Sequence, residues 1–323
     1  MSLKIRYNTK FSDAATERLI KGAHPHRVIQ STNANASVLV SGGIDPELAE
    51  ADIALGQPAV DDCIASPKLR WIALSTAGYT RYDHEHFKGI LRQRGVLLTN
   101  ASQVFAEPCA QHVLAMMLGL ARQLPQALSD QLKDRSWNSA EHRYNSRSLV
   151  GQTVLLLGYG AIGRRLVELL APFRMKVLAL RRQAKSEQAV RIIAAENISS
   201  ALAEADHVVN ILPENDATLG YVNARRLACV KTGARFYNIG RGTTVDQNAL
   251  LEALQSRRLD AVYLDVTNPE PLPPEHPLWS APNCFITPHA AGGRHDQDEA
   301  LVEHFLVNLA AFQAGKPLTD RVV

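Results

Sequence analysis

The chain is expected to fold as an α/β protein with two doubly wound parallel sheets, and three observations carry that expectation. Short apolar runs alternate with helical stretches through the first third of the sequence. The same alternation restarts at Thr153. Where it restarts, Gly158, Gly160 and Gly163 stand between an apolar run and an amphipathic stretch.

In the first third, KIRYN, RVIQS, SVLVS, ADIALG, RWIALST and GVLLTN read as strands. They lie too far apart for hairpins, so parallel pairing with crossover helices is predicted. VFAEPCAQHVLAMMLGLARQLPQALSDQLKD then reads as one long, largely apolar helical stretch. From Thr153, the runs TVLLLG, KVLALR, HVVNIL, RFYNIG, AVYLDV and CFITP are six strand-like segments. Six strands match a doubly wound dinucleotide-binding sheet. EALVEHFLVNLAAFQAGKP is an apolar-faced helix closed by Gly315 and Pro317. NPEPLPPEHPLW is expected to be an ordered loop, because a linker would not bury Leu278 and Trp279.

Composition excludes several classes. The 323 residues are 46% hydrophobic and 21% charged, with a formal net charge of +3. So small a charge does not argue for nucleic acid or a membrane surface. Cys63, Cys109, Cys229 and Cys284 are far apart and form no CxxC pair, so neither a disulfide framework nor a metal site is expected. The N-terminal MSLKIRYNTKFSD lacks the apolar core of a signal peptide. No apolar run is expected to reach the roughly 18 residues of a membrane span. A cytoplasmic location follows as the expectation.

The glycine loop carries the first chemistry. Gly158 permits a tight turn, Gly160 lets the backbone approach a pyrophosphate, and Gly163 lets helix and strand pack closely. The helix start supplies free N–H groups for phosphate. Downstream, NIGRGTTVD, LDVTNPEPLP and TPHAAGG each follow a predicted strand of this sheet. Parallel strands end on one edge, so Arg241, Glu270 and His289 should converge there. Singly, each has an ordinary reading as a solvated or loop residue. Together they suit hydride-transfer chemistry on a 2-oxo or 2-hydroxy acid. An Arg fork holds a carboxylate and polarises the neighbouring carbonyl. A His exchanges a proton with that oxygen. A carboxylate beside the His orients the ring and favours imidazolium.

On GYGAIGRRL, LPENDATLGYVNARRLACVKTGARFYNIGRGTTVDQNALLEAL, LDVTNPEPLPPEHPLW and PNCFITPHAAGG, the chain resembles the D-isomer-specific 2-hydroxyacid dehydrogenases over nearly its whole length. Glu270 follows Arg241 by 29 positions, as in that family. The resemblance implies a Rossmann dinucleotide-binding domain at 102–291, inserted in a flavodoxin-like substrate domain formed by 1–101 and 292–323. It implies Arg241 as substrate binder, His289 as general acid/base and Glu270 as its partner. Asp265 would meet the nicotinamide amide. The cofactor would also touch Gly158, Tyr159, Gly160, Ala161, Ile162, Gly163, Leu212, Pro213, Ile239, Gly240 and His289. In WIALSTAGYTRYD, the backbone N–H groups of Ala77 and Gly78 would hold the substrate carboxylate. A homodimer is implied, with Val104 to Leu132 and Trp137 as candidate surface.

Three departures from the family pattern stand out. Tyr79, Thr80 and Arg81 stand where an acidic residue is usual nearby, and Gln111 stands where Glu is usual. The third departure is Arg181, followed by Arg182 and Lys185, at the end of the second Rossmann strand. An Asp there would bind the adenosine ribose and repel a 2′-phosphate. Cations would bind that phosphate, so NADP(H) is expected to be preferred, with NAD(H) possible. Reduction of a small acid such as glyoxylate or hydroxypyruvate is the expected activity. Two alternatives stand beside it: a dinucleotide-sensing, corepressor-like protein without turnover, and formate or phosphite oxidation.

Overall fold

The computed structural model describes residues 2–35, 44–181 and 189–323. The predicted strand SVLVS and the residues Arg182 and Lys185 lie outside them. Two compact units divide the chain: Met1–Phe105 with Gly293–Val323, and Ala106–Gly292.

The first unit holds five parallel strands among the described residues: β1 (Lys4–Thr9), β2 (Arg27–Asn35), β3 (Ile53–Gly56), β4 (Trp71–Leu74) and β5 (Leu97–Thr99). Their order is β2-β1-β3-β4-β5, the flavodoxin-like order. β3 and β4 are buried along their whole length, as parallel strands covered on both faces require. The Trp71 ring stacks on Phe305 at 5.1 Å and Phe312 at 5.5 Å, which ties the helix Gln297–Gln313 to this sheet. The Trp71 indole N–H donates to Thr99 Oγ1 at 3.0 Å. The chain end returns beside β5, where Val322 N donates to Leu98 O.

The second unit carries β6 (Thr153–Leu157), β7 (Lys176–Leu180), β8 (Val190–Ile193), β9 (His207–Asn210), β10 (Ala234–Asn238), β11 (Leu259–Leu264) and β12 (Cys284–Ile286). All pairs are parallel, in the order β12-β11-β10-β9-β6-β7-β8. That is the doubly wound Rossmann order extended by one strand. The described sheet therefore has seven strands where the apolar runs indicate six. The additional strand, β8, is the four-residue edge strand VRII with Arg191 exposed. So short a run at an edge leaves little apolar signal.

The long helical stretch is also two helices, Ser102–Ala121 and Leu124–Lys133. Gln123 breaks them with φ 60°, and Pro125 in the first turn of the second helix cannot donate a backbone hydrogen bond. Contrary to the expectation that no apolar run is long enough, Ser102–Ala121 has the length and mean hydropathy of a membrane span. Its most apolar window is 56% buried within the protein. Its Glu107 also pairs with Arg165.

Candidate active site

Strand register lines up the expected residues on one edge of the second sheet. β6 and β7 pair Leu157 with Leu180, so Gly158 and Arg181 leave neighbouring strand ends. β10, β11 and β12 are consecutive neighbours, with Asn238 against Leu264 and Leu264 against Ile286. Arg241, Asp265, Glu270 and His289 follow those three ends.

The glycine turn has the backbone geometry and the open space that a dinucleotide requires. Gly158 sits at φ +99°, a conformation that side chains rarely adopt. A Cβ there would also lie 3.0 Å from the Ile211 carbonyl oxygen. A Cβ on Gly160, in contrast, would meet nothing within 4 Å among the described residues. The helix Ala161–Leu170 begins there with no side-chain cap. Open space beside uncapped N–H groups and a positive helix end fits a pyrophosphate. Arg181 is half-buried at the end of β7. Tyr159, Leu212, Ile239 and Gly240 are buried around the same edge, and Ala161 and Ile162 are partly buried in the first helical turn. The Pro213 carbonyl accepts from the Thr218 hydroxyl at 2.6 Å.

His289 and Glu270 are paired. His289 Nδ1 and Glu270 Oε2 are 2.9 Å apart, and Glu270 Oε1 accepts from Thr267 N at 3.1 Å. Burial works to raise the Glu270 carboxyl. The His289 ring, the Thr267 N–H and the Arg241 charge outweigh it and hold the group below the usual carboxylate range. His289 has φ 51°, the left-handed region, which a non-glycine residue adopts only when its surroundings impose it. The imposing groups are in view: His289 N donates to Asp265 O at 2.8 Å and to Thr287 O at 3.0 Å. Ala290 N and Ala291 N donate to the Asp265 carboxylate at 2.8 and 3.0 Å.

Arg241 is held by its backbone. Its carbonyl accepts from Asn238 Nδ2 at 3.1 Å and Thr244 Oγ1 at 2.6 Å, while its own Nη1 donates to Gly240 O at 2.6 Å. The next residue can only be glycine, since a Cβ at Gly242 would fall 1.9 Å from Thr267 O. This close approach brings the Arg241 turn against the loop that carries Glu270.

In the first unit, Ala77 and Gly78 follow β4 in a partly buried loop. The Ala77 carbonyl accepts from Asn100 Nδ2 at 2.7 Å and the Gly78 carbonyl from Thr76 Oγ1 at 2.6 Å. Both carbonyls are thus tied back into the unit, which fixes the direction of the intervening peptide groups.

Several contributors were not singled out from sequence. Asn238, Thr244 and Thr267 hold the loops that carry Arg241 and Glu270. Cys109, whose thiol burial pushes up to about 12, feels the charges of Asp265 and Arg241. His112, Tyr263 and Thr287 connect to Asp265. The available signal was a polar residue closing an apolar strand, as in RFYN and AVYLD.

Known proteins are similar to this chain in sequence and in fold. Residues 114–291 match the model of the D-isomer specific 2-hydroxyacid dehydrogenase NAD-binding domain. A glyoxylate reductase of Korarchaeum cryptofilum is 30% identical over 258 residues, covering 78% of this chain and 75% of the relative. The human glyoxylate reductase/hydroxypyruvate reductase is 32% identical over 236 residues, covering 72% and 71%. A solved D-isomer specific 2-hydroxyacid dehydrogenase from Xanthobacter autotrophicus Py2, in complex with NADPH and MES, superposes with a TM-score of 0.82. It is 26% identical and covers 100% of this chain and 98% of its own.

Proposed function

The chain belongs to the D-isomer specific 2-hydroxyacid dehydrogenase family, and from that premise we propose that it is an NADP(H)-preferring reductase of a small 2-oxo acid such as glyoxylate or hydroxypyruvate. The observation that carries the reading is the Glu270–His289 pair at 2.9 Å, on the same sheet edge as the open glycine turn and Arg241.

The reduced nicotinamide supplies the hydride when it is bound. Gly158 to Gly163 hold the pyrophosphate, with Leu212, Pro213, Ile239 and Gly240 along the edge and Asp265 at the carboxamide. Arg241 binds the substrate carboxylate and polarises the 2-oxo oxygen. His289 donates Nδ1–H to Glu270, which leaves Nε2 to hold a proton for the substrate oxygen. Ionised Glu270 accepts from Nδ1 and fixes the orientation of the ring for that transfer.

The NADP(H) preference is supported by Arg181 at the strand end beside the phosphate turn. One charge-assisted hydrogen bond contributes about 1.5–3 kcal/mol, roughly ten- to a hundredfold in affinity. A homodimer is supported by exposed Leu124, Leu128 and Leu132, which repeat every fourth residue on one helix face, with exposed Trp137 and Tyr144 following.

Steady-state kinetics on glyoxylate, hydroxypyruvate and pyruvate, each with NADH and NADPH, test the reading. At least about tenfold higher kcat/KM with NADPH is expected, reversed in Arg181→Asp. Dinucleotide binding without turnover on any of the acids would favour a sensor. Equal efficiency with both cofactors, or an unchanged ratio in Arg181→Asp, would remove the NADP(H) assignment.

A further inference from the structure

A part-buried chain of hydrogen bonds runs from the helix Ser102–Ala121 to the sheet edge. His112 Nε2 bonds the Tyr263 hydroxyl. That hydroxyl bonds Thr287 Oγ1 at 2.5 Å, and Thr287 Oγ1 donates to Asp265 Oδ1 at 2.6 Å. His112 Nε2 also lies 3.5 Å from Thr287 Oγ1, and the His112 and Tyr263 rings meet at 5.5 Å.

The direction of every proton in this chain is dictated by its end. An ionised carboxylate only accepts, so the Thr287 hydroxyl donates to Asp265. Thr287 must then accept from the Tyr263 hydroxyl. Tyr263 has one proton, now committed, so its oxygen accepts from His112. His112 therefore carries hydrogen on Nε2. Burial holds the Tyr263 hydroxyl protonated, as this order requires.

Asp265 is itself central. Its carboxylate accepts from Thr287, Ala290 N and Ala291 N. A carboxylate offers about four lone-pair sites, so about one is left for a ligand donor. The backbone carbonyl of Asp265 holds His289 N.

We propose that His112 is a positioning residue which, through Tyr263 and Thr287, aims the remaining acceptor of Asp265 at the nicotinamide carboxamide. The inference rests on the assignment of Asp265 to that carboxamide in the proposed function. A leucine at position 112 could supply the packing. What histidine adds is the N–H that starts the chain.

The test compares equilibrium dissociation constants for NADP+ and for its 3-acetylpyridine analogue, which lacks the amide N–H. The proteins are wild type, His112→Leu, Tyr263→Phe and His112→Gln, whose side-chain N–H can replace that of the imidazole. Wild type should prefer the carboxamide by about tenfold or more. His112→Leu and Tyr263→Phe should reduce that ratio by about threefold or more, and His112→Gln should retain it within about twofold. A merely structural role would weaken both ligands together and leave the ratio unchanged, which overturns the proposal. A wild-type ratio near one, with 2-oxo acid reduction intact, overturns the positioning role while the reaction assignment stands. Absence of both dinucleotide binding and turnover overturns the proposed function, and the positioning role with it. Should the substitutions prevent folding, the nitrogen-15 shifts of His112 in wild type decide: Nε2 must be protonated, and an unprotonated Nε2 refutes the chain.

Discussion

Replacing Glu270 by glutamine keeps the size of the side chain and removes one acceptor. In the native site both carboxylate oxygens face donors, His289 Nδ1 at 2.9 Å and Thr267 N at 3.1 Å. An amide has only one oxygen, so it cannot satisfy both. If the oxygen faces His289, the NH2 opposes Thr267 N–H and strands that donor, at about 1–3 kcal/mol. If it faces Thr267, the NH2 forces Nδ1 to accept, and the proton of a neutral ring moves to Nε2. In either case the carboxylate charge facing His289 is gone. The charge-assisted bond contributes about 1.5–3 kcal/mol. Side-chain exposures of 28% for His289 and 39% for Glu270 place its Coulombic part at the lower end. Adding the weaker proton donation this leaves at Nε2, kcat for glyoxylate reduction should fall about a hundredfold, within the range of acid–base catalysis. The assay is steady-state reduction at pH 7 with saturating NADPH. Glu270 is held below the usual carboxylate range, so it is ionised at that pH. Its pairing is lost only as pH falls through the depressed value. A kcat within about threefold of wild type would refute the assigned role.

Three further outcomes are expected. His207 is buried between Tyr237 and Gln152, and burial lowers it from 6.5 to about 3. The unfolded chain takes up a proton below pH 6.5 that the fold excludes, so stability falls as pH falls from 6.5 towards 3. By pH 5 the loss is about 2 kcal/mol; urea midpoints at pH 7 and pH 5 should show it in wild type and not in His207→Gln, and parallel pH dependence in both would contradict it. Gly160→Ala should leave the melting temperature unchanged but weaken NADP+ binding, whereas Gly158→Ala should cost about 1–3 kcal/mol of stability through its positive φ; calorimetry with and without NADP+ separates them, and equal melting temperatures would count against the turn geometry. Leu128→Glu should convert a dimer to a monomer in sedimentation velocity, because Leu128 lies within the exposed leucine face; a variant that remains dimeric would exclude that face.

Much of the molecule was legible along the chain because its signals are local. A buried parallel strand is a continuous apolar run, and a phosphate turn needs its glycines at set positions, so TVLLLGYGAIGRRL carries its meaning within fourteen residues. Arg241, Glu270 and His289 could be nominated because each follows a strand, and parallel strands share an edge. The edge strand β8 was missed because four residues with an exposed arginine resemble a loop. The break at Gln123 was missed because apolar content continues across it while the backbone does not.

Partnership across the chain was decided only by tertiary structure. Nothing near His112 announces Tyr263, which lies 151 positions away, and nothing near Asp265 shows that its carboxylate clamps the loop holding His289 in the left-handed region. A hydrogen bond depends on atoms within about 3 Å, whatever their separation in sequence. The sequence by itself therefore determined most of the strands, the glycine turn and the types of residue that follow β10, β11 and β12. Which donor meets which acceptor there was settled by the register of β10, β11 and β12 and by the helix packed against them.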